Sequence, residues 1–446
     1  MDRRVRRALG VVPVVGLLII IAVALSGCRT PFSSASAALP TVVPTPAPTA
    51  TPTPAPARVH TPAFAALAAM NAPQIALSPA HGRAAMLSTG QLYSVNLATG
   101  SSTRPVTVTA PDASNSTLVV DDTHGVAAIL QDGSTGVTPT LRAVDLLSDQ
   151  MKGPFTLNAL PLTAVTSAAT VPRGAGVLAV FAAGQDSPPS PPELALISPS
   201  GRTRAHAIPD AGTLVVDTSA TIAIVSGTTV TPTLTALDAH SLRPLWSIIG
   251  PFMPTAIQVD SVRHRLWLVA TGGRVMILDT RTGHVVANCA LTYRRPSDWA
   301  ADPGLVVDPR TGLGYATWQG AIGGTSGQAI DRINPDLRAR SVLTYNASGV
   351  LLGVTPLSSR LIALDTNGNL VLVRARTGRV ISTMVHALTW AGGAGGAISQ
   401  TPVVAGDGPS TFYIVQSASV PYQNDVTGTN MTTGLVSVVL PDLPRS

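Results

Sequence analysis

The chain has two cysteines, Cys28 and Cys289, in 446 residues, so no disulfide framework braces whatever folds beyond Cys28. Lysine and glutamate occur once each, as Lys152 and Glu193. Exposed helices draw heavily on both, which excludes long surface helices as a main element. Only 12% of residues are charged and 4% are aromatic, and no basic run is interleaved with aromatics, so no nucleic-acid partner is expected. The formal charge of +6 points the other way until it is located. Arg3, Arg4, Arg6 and Arg7 stand against Asp2, and a chain beginning at Cys28 would carry only +3. No G-x-S-x-G elbow sits on a strand-to-helix turn, which leaves serine hydrolase chemistry unsupported. The Gly-rich stretches 320–327 and 392–396 lack the following helix and Lys that cradle phosphate, and read as flexible loops.

Hydrophobic residues make up 45% of the chain, with 39 Gly and 38 Pro. That supplies a sizeable core for one large all-β domain or two ordinary domains. Abundant Val, Thr, Gly and Pro favour short strands joined by turns.

The N-terminus carries the most specific signal. Residues 1–7 are basic, Ala8 to Leu25 are apolar, and Leu25-Ser26-Gly27-Cys28 closes the run, the layout of an export signal. Small residues before a Cys resemble the bacterial lipobox. That resemblance implies removal of residues 1–27, a fatty acyl lipid on the sulfur of Cys28, and a protein held at the outer face of the cell membrane, or at an outer membrane if the organism has one. The alternative is an uncleaved anchor, since an apolar run of this length just spans a bilayer. Either way the body lies outside the cytoplasm. Residues 28–69 read as a tether, because Pro40, Pro44, Pro46, Pro48, Pro52, Pro54 and Pro56 alternate with Thr and Ala. Such a composition favours extended polyproline II and buries no core. A short helix is expected over Ala63 to Met70.

Residues 70–446 are expected to form one repetitive domain. In its clearest unit, Arg265 to Leu291, Leu266, Leu268 and Ala270 would point to one side of a strand and Trp267 and Val269 to the other, so both faces are apolar. A second strand ends in Asp279-Thr280-Arg281-Thr282-Gly283, where Asp starts a tight turn and Gly takes a positive φ. Similar first strands end at Ser78, Asp121, Asp217, Asp260, Asp308 and Thr355. Starts recur about 43 to 49 residues apart, the span of a four-stranded antiparallel blade. Eight units can be counted. The last, Thr401 to Leu440, shows three convincing strands, so either a strand from the other terminus completes it or the ring has seven blades and one irregular unit. Sheets with two apolar faces must cover each other, and radial closure covers the two end faces as well.

These units resemble the YVTN-type and WD-like β-propeller superfamily, and Ala236 to Trp246 is similar to the end of a quinoprotein-type repeat, A-x-D-x-x-T-G-x-x-x-W. The resemblance implies an all-β propeller with a first-strand-lined channel and ligand-binding loops at its ends. It departs from the quinoprotein pattern at Leu242, where Gly is expected, and the Trp recurs in no other unit at that place. No cofactor is therefore expected.

Several groups could carry chemistry. Asp121, Asp217, Asp260 and Asp308 hold one place in four units and would approach one channel mouth as oxygen ligands for a cation, or else cap the turns that end their strands. His81, His124 and His264 fall in matching turns, but without a paired Cys or H-x-H spacing they read as solvated rather than metal-bound. Cys289, among Val286, Ala287 and Leu291, reads as a small buried hydrophobe. Loops at Gln185 to Pro192, Tyr293 to Asp302, Trp318 to Gln328 and Val420 to Thr433 exceed what a hairpin needs, and long loops on rigid scaffolds carry recognition. Tyr293, Arg294, Arg295, Asp298 and Trp299 form the richest cluster, suited to a protein or glycan contact. The expected function is a lipid-anchored, non-catalytic binding or assembly module with no catalytic residue and no bound metal. The alternative is an exported propeller enzyme, either a quinoprotein-like dehydrogenase or a metal-dependent lactonase-type hydrolase.

Overall fold

The computed structural model describes residues 58–60, 74–88, 90–108, 116–133, 138–157, 164–171, 176–183, 191–227, 232–250, 253–270, 273–291, 304–322, 325–334, 338–345, 351–357, 360–365, 370–375, 377, 379–384, 404–405, 411–421 and 429–439. They form eight four-stranded antiparallel sheets. Seven are built from consecutive strands, at residues 74–107, 116–156, 164–207, 212–249, 254–290, 304–345 and 351–384. The fifth shows the plan: Pro254–Asp260, Arg265–Ala270, Arg274–Asp279 and Val285–Ala290, paired in that order. From the first sheet to the eighth, the first strand of each neighbours the first strand of the next. Among the described residues the one helical element is the 3-10 turn Pro79–His81.

The two-faced strand explains why the sheets stack. Leu266 and Leu268 are buried with Ile222, Ile224, Leu234 and Ala236 of the fourth sheet. Trp267 and Val269, one residue out of phase, are buried with Leu305, Ala316, Trp318 and Ala329 of the sixth. Side chains alternate across a strand, so one strand with no polar face serves two interfaces. Similar shared cores join sheets one and two, two and three, three and four, and six and seven. Each fully buried Leu, Val or Ile contributes about 1.5–3 kcal/mol, so the interfaces rather than the sheets carry the stability.

A register shift recurs between the third and fourth strands of five sheets, at Leu141/Ala143, Ala236/Leu237, Ile277/Leu278, Ile330/Asp331 and Leu372/Val373. A bulge there raises the local twist and swings the outer strand away, as a wedge in a ring requires.

The eighth sheet holds the seam. Val404–Ala405, Thr411–Pro421 and Thr429–Val439 form three of its strands, and the fourth is Arg58–His60. Arg58, Val59 and His60 pair with Val439, Val438 and Ser437. The ring is thus completed by a strand from the other terminus, the first of the two alternatives above. Three residues of the stretch read as tether belong to the ring, because they supply the ladder that the short last unit lacks.

Candidate functional site

Alternation of strand direction gives the ring two unlike ends. The turns joining first to second and third to fourth strands share one end and are short, as at 122–125, 218–221, 261–264 and 280–284. The four aspartates of the repeat sit there, each ending a first strand or starting the turn after it. Asp217 is fully buried. Its Oδ1 accepts the amides of Ser219 and Ala220 at 3.1 and 3.0 Å. Its Oδ2 accepts the Thr280 hydroxyl at 2.6 Å and lies 3.0 Å from His264 Nδ1, both on the next sheet. Asp260 Oδ1 accepts the amides of Val262 and Arg263, and its Oδ2 takes Arg263 Nη1 at 3.0 Å. Asp308 accepts the Arg310 amide and the Thr311 hydroxyl. Asp121 accepts the Thr123 amide and lies 2.8 Å from His124 Nδ1. All four carboxylates are engaged with turn amides and neighbouring side chains. Among the described residues no three His, Cys, Asp or Glu lie close enough together to hold a metal.

Several of these contacts pin one sheet to the next, and sequence reading had no signal for them. Arg263 reaches from the fifth sheet to the Pro309 and Arg310 carbonyls of the sixth at 2.8 and 3.0 Å. Ser78 donates to Asp122 at 2.9 Å, and Ser94 to the Leu146 carbonyl at 2.7 Å. Arg281 Nη2 lies 2.8 Å from His264 Nε2. Because guanidinium only donates, Nε2 accepts there and the imidazole proton sits on Nδ1, facing Asp217. His264 is therefore a linker between Asp217 and Arg281, not the solvated turn histidine expected of it. Cys289 is half-buried against the core shared by the fifth and sixth sheets.

The quinoprotein-like stretch holds its shape despite lacking the glycine. Leu242 adopts φ 57°, the conformation that Gly would take, and its side chain is buried in the core between the third and fourth sheets. Trp246 donates its Nε1–H to the Thr280 carbonyl at 2.8 Å and lies over Gly283, where a Cβ would stand 2.8 Å from the Trp246 ring. Phe155 of the second sheet covers Gly201 of the third in the same manner. These turn glycines are required by the neighbour's aromatic as well as by φ.

At the opposite end lie the connections from second to third strands and from each sheet to the next. All four long segments expected to carry recognition leave from this end. Two are strand in large part: Leu313–Ile322 pairs with Thr325–Asn334, and Val420 and Pro421 pair with Asn430 and Thr429. Within the Gly-rich stretch, Gly320, Ala321 and Ile322 thus pair with Gly327, Ser326 and Thr325 as strand rather than as loose loop, since cross-strand pairing, not side-chain identity, holds them. Tyr293, Arg294, Arg295, Asp298 and Trp299 lie outside the described residues, as do Cys28, residues 61–73 and residues 392–396. The single glutamate, Glu193, opens the strand Glu193–Ile197 at this end.

Two carboxylates show opposite electrostatics. Burial pushes Asp132 up from its ordinary value, against the Val165 amide that favours the anion. Burial also acts to raise Asp279, but the Thr282 amide and hydroxyl, the Arg281 amide and the Arg265 charge together hold it below the usual range.

No family model matches the sequence, and no curated protein matches it. Solved structures do. BamB from Moraxella catarrhalis superposes with a TM-score of 0.52 at 14% identity, over 87% of this chain and 99% of that one. Quinohemoprotein alcohol dehydrogenase from Comamonas testosteroni gives 0.54 at 11% identity, over 85% of this chain and 77% of that one. The fold is a β-propeller. A computationally designed protein, Ika8, matches equally well at 0.53 and 12% identity, over 84% of this chain and 98% of that one, so likeness at this level establishes propeller architecture alone.

Proposed function

We propose that this propeller is the binding or assembly module of an extracytoplasmic lipoprotein, anchored through lipidated Cys28 and without catalytic activity. The observation that carries the reading is the fate of the repeat carboxylates. Asp121, Asp217, Asp260 and Asp308 are each committed to the ring's own hydrogen bonds, which leaves them as parts of the scaffold rather than as a converging set of ligands. The end that carries the long connections then provides the contact surface for a protein or glycan, on the rigid base that the pinned turns supply.

The experiment is fractionation of cells making the full chain or its Cys28→Ser variant, combined with metal analysis and an absorbance spectrum of the purified protein. Wild type should partition with the membrane and into detergent, and the variant should lose its lipid label. Stoichiometric metal or a quinone spectrum would sink the non-catalytic reading. It would favour the dehydrogenase or hydrolase alternative, for which a similar structure that is a dehydrogenase by name is the present support.

A further inference from the structure

Exposed cationic charge and exposed hydrocarbon gather at the same end of the ring, the one that carries the short, pinned turns. The turns from third to fourth strands hold an exposed arginine in four sheets: Arg202 in the third, Arg243 in the fourth, Arg281 in the fifth and Arg379 in the seventh. In the second sheet the exposed Lys152 lies just past the same turn. Asp145, Asp238 and Asp279, which start three of these turns, are half-buried and accept turn amides. The outermost charge is therefore cationic, and among the described residues no aspartate or glutamate is exposed.

The apolar side chains keep the same company. Of the nine large hydrophobic residues exposed to solvent among the described residues, seven sit at this end, so the two ends of the ring differ in more than loop length. Val262 is 65% exposed, and Leu147 and Val285 are 55% exposed. Leu245 and Val380 follow closely on Arg243 and Arg379. These side chains are spread over the second, fourth, fifth and seventh sheets rather than gathered into one patch. A protein partner of ordinary size covers about 800 Å² in one continuous area and would meet few of them, whereas a surface broader than the ring meets them all.

The chain also enters the ring here. Arg58 pairs with Val439, and Val439 pairs with Thr411, which opens the second strand of the eighth sheet. Second strands begin at the pinned end, so the residues before Arg58 arrive at that end.

We propose that the pinned end of the propeller rests on an anionic lipid surface, that of the membrane holding the chain's own anchor, with the rim arginines on headgroup phosphates and the apolar side chains between them. This rests on the lipid-anchor reading above. Guanidinium matches phosphate geometry and keeps its charge, and its hydrocarbon stem tolerates the headgroup boundary that Val262, Leu147 and Val285 also suit. The long connections at the other end are thereby turned away from the membrane, where a partner can reach them.

The test reconstitutes the full-length chain into vesicles of phosphatidylglycerol and phosphatidylcholine, with a photo-crosslinking residue at position 262 or, at the opposite end, at position 253. Both sites are exposed and apolar, so the end of the ring is what differs. Lipid adducts from 262 should form at about ten times the yield from 253. The yield should fall to the level of 253 in phosphatidylcholine alone, or when Arg202, Arg243 and Arg379 are all changed to Gln. None of the three forms an ion pair among the described residues, and an unchanged melting temperature verifies that the triple variant is folded. Equal yields from the two positions, or a yield from 262 indifferent to lipid charge, would overturn the proposal. So would polypeptide adducts in place of lipid when the same probe is used in cells. Flotation of the vesicles separates the two ideas. A chain that floats but gives no lipid adduct at 262 is anchored without docking, whereas a chain that does not float refutes the anchor and the docking together.

Discussion

At the scale of single residues, the aspartates do the joining. Replacing Asp217 by Ala strips partners from two amides, the Thr280 hydroxyl and His264 in a site closed to water. The expected loss is about 3 kcal/mol in denaturant unfolding, against about 1 kcal/mol for Thr280→Val, which removes one hydrogen bond. Asp132 should behave in the opposite sense. Its carboxylate is raised in the folded state, so it favours folding when protonated and that advantage is lost as pH rises through the folded value. Asp132→Asn keeps an oxygen for the Val165 amide and should raise the melting temperature at neutral pH, with the gain vanishing below about pH 4. Asp279 is lowered, so its contribution is present above the unfolded value and fades in acid. Tyr315 is buried with its hydroxyl unpartnered, and burial together with Asp308 pushes its pKa up to about 12. Tyr315→Phe should therefore cost nothing, and a melting temperature that fell by several degrees would show a partner we have missed.

At the scale of the element, the strand alternation of Arg265–Ala270 was legible residue by residue, because a two-residue period with no polar face has one structural solution. Strand ends were legible too, from Asp and Gly. The pins were not: Arg263 on the next sheet's carbonyls and Trp246 on Gly283 join residues distant in sequence, and nothing local to either one signals the other. The departure at Leu242 misled in an instructive way. A glycine position filled by Leu reads as a broken repeat, yet the backbone keeps its left-handed turn because the side chain fills an inter-sheet core. Adding a methyl group at Gly283 should cost about 1–3 kcal/mol, since the Trp246 ring must move. Trp246→Ala should cost about 3–5 kcal/mol, and the double variant less than the sum, as measured by a double-mutant cycle.

At the scale of the molecule, repeat spacing was enough to read blade architecture, and it left the closing strand open between two alternatives. Arg58–His60 is too short and too polar to stand out from a Pro-rich stretch, and only its pairing with Ser437 to Val439 reveals it. A chain beginning at Pro54 should melt like the longer protein, whereas one beginning at residue 61 should melt lower by at least about 2–4 °C, since the eighth sheet then ends on a bare strand. The cluster around Trp299, expected from composition to carry recognition, lies outside the described residues, and the strand before it, Val285–Ala290, ends opposite the pinned turns.

Because Arg58 meets Val439, the earliest strand to leave the ribosome waits for the latest before it can bond. During synthesis the circle stays unclasped, with a growing row of blades shielded on one flank only, until nearly the whole polypeptide has been made. Contacts of such long range form slowly. Premature termination anywhere in the chain would therefore yield an unlatched arc that invites proteolysis, rather than a smaller working ring.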